Sequence, residues 1–331
     1  MAEPPKYDHL LVMPRLRVQN ANAISSPLTH GFPSITAFLG LMWALERKTR
    51  AAGMDLSFNA VGVVCHNHQE QVTQSGFVKA FRLTRNPVGR DGSTSAIVEE
   101  GRIHLDISLV FAVQSNGWAT QSADINEDCA RIAAMLASMR IAGGSVIPAS
   151  VPESRRTPYV IPLTGNESDQ EETFRRAKVR LLPGFTLVSR DDLLEKRHAE
   201  RQADDALTTR LDAWLSLARI NWRFKASPEE QPEPAETWGH DRQGLGWVVP
   251  IPVGYGALGP VHPPGVVVKA RDARTPFCFV ESLYSVGQWI SPHRLQTPRQ
   301  MLWYADSEPD QGLYRCRNDF QVAPRFSFEF D

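Results

Sequence analysis

The sequence predicts an α+β fold in which two amphipathic helices cover one face of an antiparallel sheet. Three observations predict it. The segments up to about residue 150 run strand, helix, strand, strand, helix, strand. Ile103, Leu105, Ile107, Leu109, Phe111 and Val113 alternate with polar His104, Asp106 and Ser108, so that arm has one core face and one wet face. Ile35, Phe38, Leu39, Met42 and Leu45, and later Ile125, Cys129, Ile132, Leu136 and Met139, recur at helical spacing and give each helix a single apolar stripe.

Taken in order, Leu10 to Met13, continuing through Leu16 and Val18, is the first strand. QNANAISSPLTHGFPS is a loop of turn and capping residues, and Ser34 is positioned to cap the helix that follows. Arg15, Arg17, Asn20 and Asn22 fall on or just after this strand, where a rigid element can present donors to a polymeric anion. Leu56 to Cys65 is the second strand. Phe77 to Arg85 and Ala96 to Val113 read as two arms of a long hairpin whose tip, NPVGRDGSTS, is made of turn residues. Asp124 to Arg140 is the second helix; Gly143-Gly144 and the short strand SVIP close the unit. This order is that of the ferredoxin-like, RNA-recognition type of unit. We therefore place one unit at 1–150 and a second region at 151–331. There Thr173 to Leu182 and Asp191 to Phe224 read as helices, Ala226 to Thr237 as an acidic Pro-rich connector, and the aromatic stretches beyond as short elements and irregular structure packed on the first unit.

The 331 residues are 42% hydrophobic, enough for a real core. No apolar run reaches membrane-spanning length and MAEPPKYD lacks the layout of a secretory signal, so the expected compartment is the cytoplasm, with no membrane contact. Cys65, Cys129, Cys278 and Cys316 are widely spaced and read as core thiols. The net charge of −1 hides segregation: Lys79, Arg82, Arg85 and Arg90 follow one another with no acid between them, and five bases without an acid lie between Thr173 and Arg190. On pattern alone such a hairpin is a solvated surface. Arg102, Arg140 and the aromatic residues Phe32, Phe77 and Phe81 on the same unit favour nucleic acid. The other reading of the hairpin is that Arg85 pairs with Glu99 or Glu100 and braces it.

Gly254-Tyr255-Gly256-Ala257-Leu258-Gly259 matches a dinucleotide fingerprint, but the flanking prolines 250, 252, 260, 263 and 264 prevent a helix from starting there. Cys65, His66 and His68 are potential metal ligands, yet neighbours on an extended strand point to opposite faces. Ordinary loop histidines are the simpler reading. The sequence has no nucleophile elbow, no HExxH and no Walker lysine, and Glu99-Glu100 on an extended arm is not a catalytic pair. The expectation is a protein without catalytic residues, metal or cofactor.

The segments PRLRVQNANAISSPLTHGFPS, LTRNPVGRDGSTSAIVEEGRIHL, MRIAGGSVIP, RRAKVRLLPGFTLVSR, GWVVPIPVGYGALGP, SPHRL and MLWYADSEPDQGLYR carry a resemblance that runs from about Leu10 to Tyr314. The chain resembles the Cas-five-type subunits, second in the Csy set, of type I-F CRISPR surveillance complexes. The resemblance implies a ferredoxin-like core of the RAMP superfamily, a projecting thumb at about 77–111, and a glycine-rich loop at Gly143-Gly144. It also implies a non-catalytic role: with the large subunit, such a protein holds the 5′ handle of CRISPR RNA, contacts the adjacent backbone subunit, and meets target DNA through the assembled complex. The alternative is a RAMP-type endoribonuclease that processes CRISPR RNA. The RNA-binding candidates are Arg15, Arg17, Asn20, Asn22, Phe32, Arg82, Arg85, Asn86, Arg90, Arg102, Arg140, Gly143 and Gly144.

Overall fold

The first strand, β1 (His9–Asn22), lies inside a sheet that gathers strands from both ends of the chain. The structure, a computed structural model, describes residues 4–85, 88, 91–94, 97–225, 237–270 and 272–322. After β1 come α1 (Ile35–Ala51), capped by Ser34, then β2 (Ser57–Glu70), β3 (Arg102–Gln114), α2 (Ile125–Ala137), capped by Asp124, and β4 (Gly144–Ile147). The spatial order is β4, β1, β3, β2, all antiparallel. Leu11, Met13 and Val18 of β1 and the odd-numbered apolar residues 103–113 of β3 pack beneath Phe38, Leu39, Met42 and Leu45 of α1 and Ile132 and Leu136 of α2. The stripes read from the sequence are the ones that bury.

The opposite face departs from expectation. Within the sheet it is wet only at the Arg102–Asp106 end; from Ser108 to Val113 β3 is buried on both sides, and only its last residue, Gln114, is exposed again. Val110 and Ala112, which continue the polar row as apolar residues, join Leu10, Val12, Ala60 and Val64 under Ile161, Phe174, Leu181, Leu295 and Met301. That second layer comes from β5 (Tyr159–Pro162), which pairs with the start of β1, from α3 (Glu167–Ala177), and from chain near 290–304.

The region expected to be irregular is largely β-sheet. β6 (Phe185–Ser189) joins the outer edge of β2 at Cys65 and Val64. The helices α4 (Asp191–Asp204) and α5 (Arg210–Ala218) then pack Leu193, Leu194, Trp214 and Leu217 on β7 (Val248–Ala257) and β8 (Val280–Ile290). β9 (Trp303–Glu308) and β10 (Leu313–Asn318) complete the path, and Trp303 pairs back with Val61 of β2. The strands β2, β6, β8, β7, β10 and β9 thus form a closed ring that uses β2 twice. Prolines 250 and 252 and the glycines of the fingerprint-like run hid β7 in the sequence. Gly254 sits at a bulge of β7 with φ +153°, and a Cβ there would lie 2.0 Å from the Tyr314 carbonyl oxygen, so this glycine serves the approach of β10.

The expected single long hairpin is two short ribbons. Val72–Ser75 pairs with Val78–Phe81 around a turn at Gly76, and Leu83–Arg85 pairs with Ile97–Glu99. Residues 102–113 of the expected second arm belong to the central sheet, because their apolar row is claimed by β1 and α1. Asn86, Arg90 and the connector from 226 to 236 lie outside the described residues.

Candidate nucleic-acid interface

At the wet end of the first sheet, side chains two residues apart share a face. Arg102, His104 and Asp106 of β3 lie beside Arg17 of β1 and Gln69 of β2 through the pairs Arg17 with Asp106 and Gln69 with His104. β1 passes this end with two bulges, and Asn20 adopts φ +57° while its backbone N–H donates to His104 Nδ1 at 3.1 Å.

Here the fold gathers a polar cleft of about 500 Å³ lined by Gln19, Asn20, Gln71, Arg82, Glu100, Arg102, Arg140, Gly143 and Ser145. Five of the sequence candidates meet in it: Asn20, Arg82, Arg102, Arg140 and Gly143. Each is fixed by the backbone around it. Arg82 N–H donates to the Gln71 carbonyl at 3.1 Å, and Gln71 N–H to that of Arg102 at 2.8 Å, which hangs the first ribbon on the end of β3. Arg102 pairs with Glu100, and the Arg140 guanidinium donates to the Gly143 carbonyl at 3.1 Å. Ala142 and Gly143 both have positive φ, 47° and 80°, the signature of a tight hairpin turn with primed geometry. Three guanidinium groups face one carboxylate across an open, polar cleft, which suits the phosphates of a nucleic acid strand.

The other candidates go elsewhere. Arg15, with φ +54°, donates its backbone N–H to Ser108 Oγ at 3.1 Å, and its guanidinium reaches Asp106 at 3.5 Å and the Leu182 carbonyl at 3.4 Å. Its side chain is 11% exposed, so it braces β1 to β3 and to the segment before β6. Arg17 is exposed in the adjoining hollow with His68, Gln69, His104 and Asp106. Asn22 forms a local turn with Ile24 through bonds of 2.8 and 3.1 Å. Phe32 packs away from the cleft, edge-on to Trp289 at 4.8 Å and stacked on Phe38 at 5.6 Å. Gly144 lies behind the turn, where a Cβ would come within 2.7 Å of Ala21 N and Val18 Cγ1. Arg85 stands opposite Ile97 in its ribbon.

The sequence reading missed Gln19, Gln71 and Ser145 in the cleft and His104 beside it. Gln19 follows Arg17, and His104 follows Arg102, at the strand period of two, a signal the sequence did contain. Of the metal candidates, His66 has both ring nitrogens occupied, Nδ1 by the Pro183 carbonyl and Nε2 by Ser108 Oγ, each at 2.6 Å. Since the carbonyl can only accept, Nδ1 carries the proton and Nε2 accepts from Ser108. Burial, and secondarily Asp106, pushes the Cys65 thiol up to about 12. Among the described residues no group of three His, Cys, Asp or Glu side chains could hold a metal ion.

Residues 11–316, from β1 to β10, match the family described as CRISPR-associated protein (Cas_Csy2). Across 324 residues, 96% of each chain, the sequence is 45% identical to the CRISPR-associated protein Csy2 of Pseudomonas aeruginosa (strain UCBPP-PA14). The chain belongs to the Csy2 family. It is accordingly a CRISPR-Cas protein, a Csy2 subunit of a type I-F complex. The Csy2 match includes every residue of the cleft. Among the described residues no helix is long and apolar enough to cross a membrane.

Proposed function

We propose that this Csy2-family chain is a non-catalytic, cytoplasmic RNA-binding subunit that, with the large subunit, grips the 5′ handle of CRISPR RNA and so helps assemble the complex for DNA target recognition. The observation that carries this reading is the cleft with Arg82, Arg102 and Arg140 at the wet end of the sheet. A ferredoxin-like RAMP core is the reading that the strand order β4, β1, β3, β2 with both helices on one face supports. The ribbons between β2 and β3 are the proposed thumb, reaching the adjacent backbone subunit. Two exposed surfaces fit subunit contacts: Leu207, Leu211 and Leu215 on and beside α5, and Trp222, Phe224 and Trp238 on the ribbon after it.

The test is salt-dependent RNA binding by the complex co-expressed with its partner subunits. Each phosphate contact removed lowers the slope of log affinity against log salt by about 0.7 for a single strand. Arg82→Ala, Arg102→Ala and Arg140→Ala together are expected to reduce the slope by about 2, with affinity lowered equally for native and scrambled handles. An unchanged slope would remove the cleft from the RNA path. Multiple-turnover hydrolysis of RNA by the wild-type chain, abolished by a single clean substitution, would favour the endoribonuclease instead.

A further inference from the structure

A second concavity, of about 440 Å³, opens on the other side of the free end of β2. Its walls are Phe32, Phe185, Trp247 and Trp289 with Pro250 and Pro252, and its rim carries His30, Asn67, His68 and Glu70. Trp247 and Phe185 stand at the mouth, 50% and 44% exposed, edge-on to each other at 5.7 Å. Leaving two large aromatic rings half in water is unfavourable unless something covers them.

The walls are held in place before any ligand arrives. Gly246, at φ +76°, lets the chain turn beneath Gln288, whose amide donates to the Leu245 carbonyl at 2.8 Å and accepts from buried Arg190. The backbone N–H of Trp289 donates to the Trp247 carbonyl at 3.0 Å, which sets the two residues side by side with ring centroids 6.2 Å apart. Beside these apolar walls, Asn67, His68 and the His30–Glu70 pair at 3.4 Å offer donors and acceptors, and Ser25, Ser34 and His66 also line the slot. An apolar slot of a few hundred cubic ångströms with a few polar groups is the form of a small-ligand site.

Its place in the molecule bears on what it could hold. Asn67 and His68 line both this pocket and the hollow that holds Arg17 and His104, and that hollow adjoins the arginine cleft along β1 and β3. Among the described residues lining the cleft none is aromatic, so the cleft offers guanidinium groups to phosphates but no aromatic face to a base. Single-stranded RNA sites commonly combine a basic track for the backbone with aromatic faces for the bases. We propose that the Phe32, Phe185, Trp247 and Trp289 pocket takes one unstacked nucleobase of the RNA strand whose phosphates lie in the arginine cleft, with the base edge read by Asn67, His68 and the His30–Glu70 pair. This rests on the RNA-binding reading above and adds base recognition to it.

The experiment uses the assembled complex and a set of RNAs in which a single abasic nucleotide is moved along the single strand. Trp247→Ala should weaken binding of the native RNA by roughly 5- to 150-fold, the range of one lost base stack. On the RNA abasic at one particular position it should bind as the wild type does, because the base is already missing. Trp247→Phe should restore most of the loss, and the salt slope should stay at the wild-type value in both variants. An equal loss on every abasic RNA, or no loss at all, overturns the proposal. So does loss of a partner subunit from Trp247→Ala complexes prepared without RNA, which would assign the pocket to a protein side chain. If the arginine variants alter the salt slope while no abasic position cancels Trp247→Ala, this inference alone fails. If the wild-type complex shows no dependence on the arginines, the cleft reading fails instead.

Discussion

His66 ties together three segments that are remote in sequence: its Nδ1–H donates to Pro183, its Nε2 accepts from Ser108, and Ser108 in turn accepts the backbone N–H of Arg15. A protonated ring would have two donors and would have to break the bond from Ser108 or force that hydroxyl to turn. Burial is the largest cause that lowers the His66 pKa below the ordinary 6.5; Arg15 and Arg155 lower it further, while the Pro183 bond and Asp106 oppose. A histidine with a depressed folded-state pKa binds fewer protons folded than unfolded, so its contribution to stability is complete above the ordinary value and is lost as pH falls below it. Denaturant unfolding of the wild type between pH 8 and pH 5 should therefore show stability declining below about 6.5. His66→Gln should be less stable at pH 8 but have a flatter profile. Parallel curves for the two proteins would exclude His66 as the titrating group.

The turn between Arg140 and Gly144 shows an element in which neighbouring glycines do different work. Gly143 takes φ +80° with open space around it, so its need is conformational and its carbonyl is left to orient Arg140. Gly144 has ordinary φ but no room, since β1 passes so close that a Cβ would meet Ala21 N and Val18 Cγ1 at 2.7 Å. Gly144→Ala is expected to destabilise the protein by about 1–3 kcal/mol through overpacking. Ala142, at φ +47°, already carries the strain that glycine avoids, so Ala142→Gly should be neutral or stabilising by up to about 1 kcal/mol. Urea midpoints of the two variants check both signs, and a Gly144→Ala protein as stable as the wild type would mean that β4 can move away from β1.

Across the whole molecule, β2 is the shared member of the first sheet and of the closed ring. Its outer edge is divided between β6, at Val64 and Cys65, and β9, at Val61, and Trp303 lies wholly buried there with its indole N–H on the Leu187 carbonyl at 2.8 Å. Gly62 keeps this junction narrow, with Met301 3.1 Å from where its Cβ would stand. A fragment of residues 1–150 would lack the layer that covers Leu10, Val12, Ala60, Val64, Val110 and Ala112. It would also expose the outer edge of β2 to other chains. That fragment, expressed alone, should aggregate or lack near-ultraviolet circular dichroism. A soluble, cooperatively unfolding fragment would show that the first sheet is stable without the second layer.

The two helices, the cap at Ser34, the four strands the helices cover, and the presence of several arginines with glycines near one end of that unit are all legible in the sequence, whereas the Asp124 cap is not read there. These are legible because burial on one face imposes a period, and because a capping side chain acts within three residues of its own position. Which arginines share a cleft was set by tertiary packing. Arg15 and Arg17 are two residues apart on one strand, yet a bulge with positive φ at Arg15 turns one guanidinium inward to Asp106 and Leu182 and leaves the other exposed. Tertiary packing likewise sets Phe32 against Trp289, which in turn meets Trp247, rather than against the arginines, since those rings converge only when β7 and β8 close the ring from more than 200 residues away. Local periodicity records which way a side chain faces; what it faces is set by chain that arrives from elsewhere, and no periodicity encodes that.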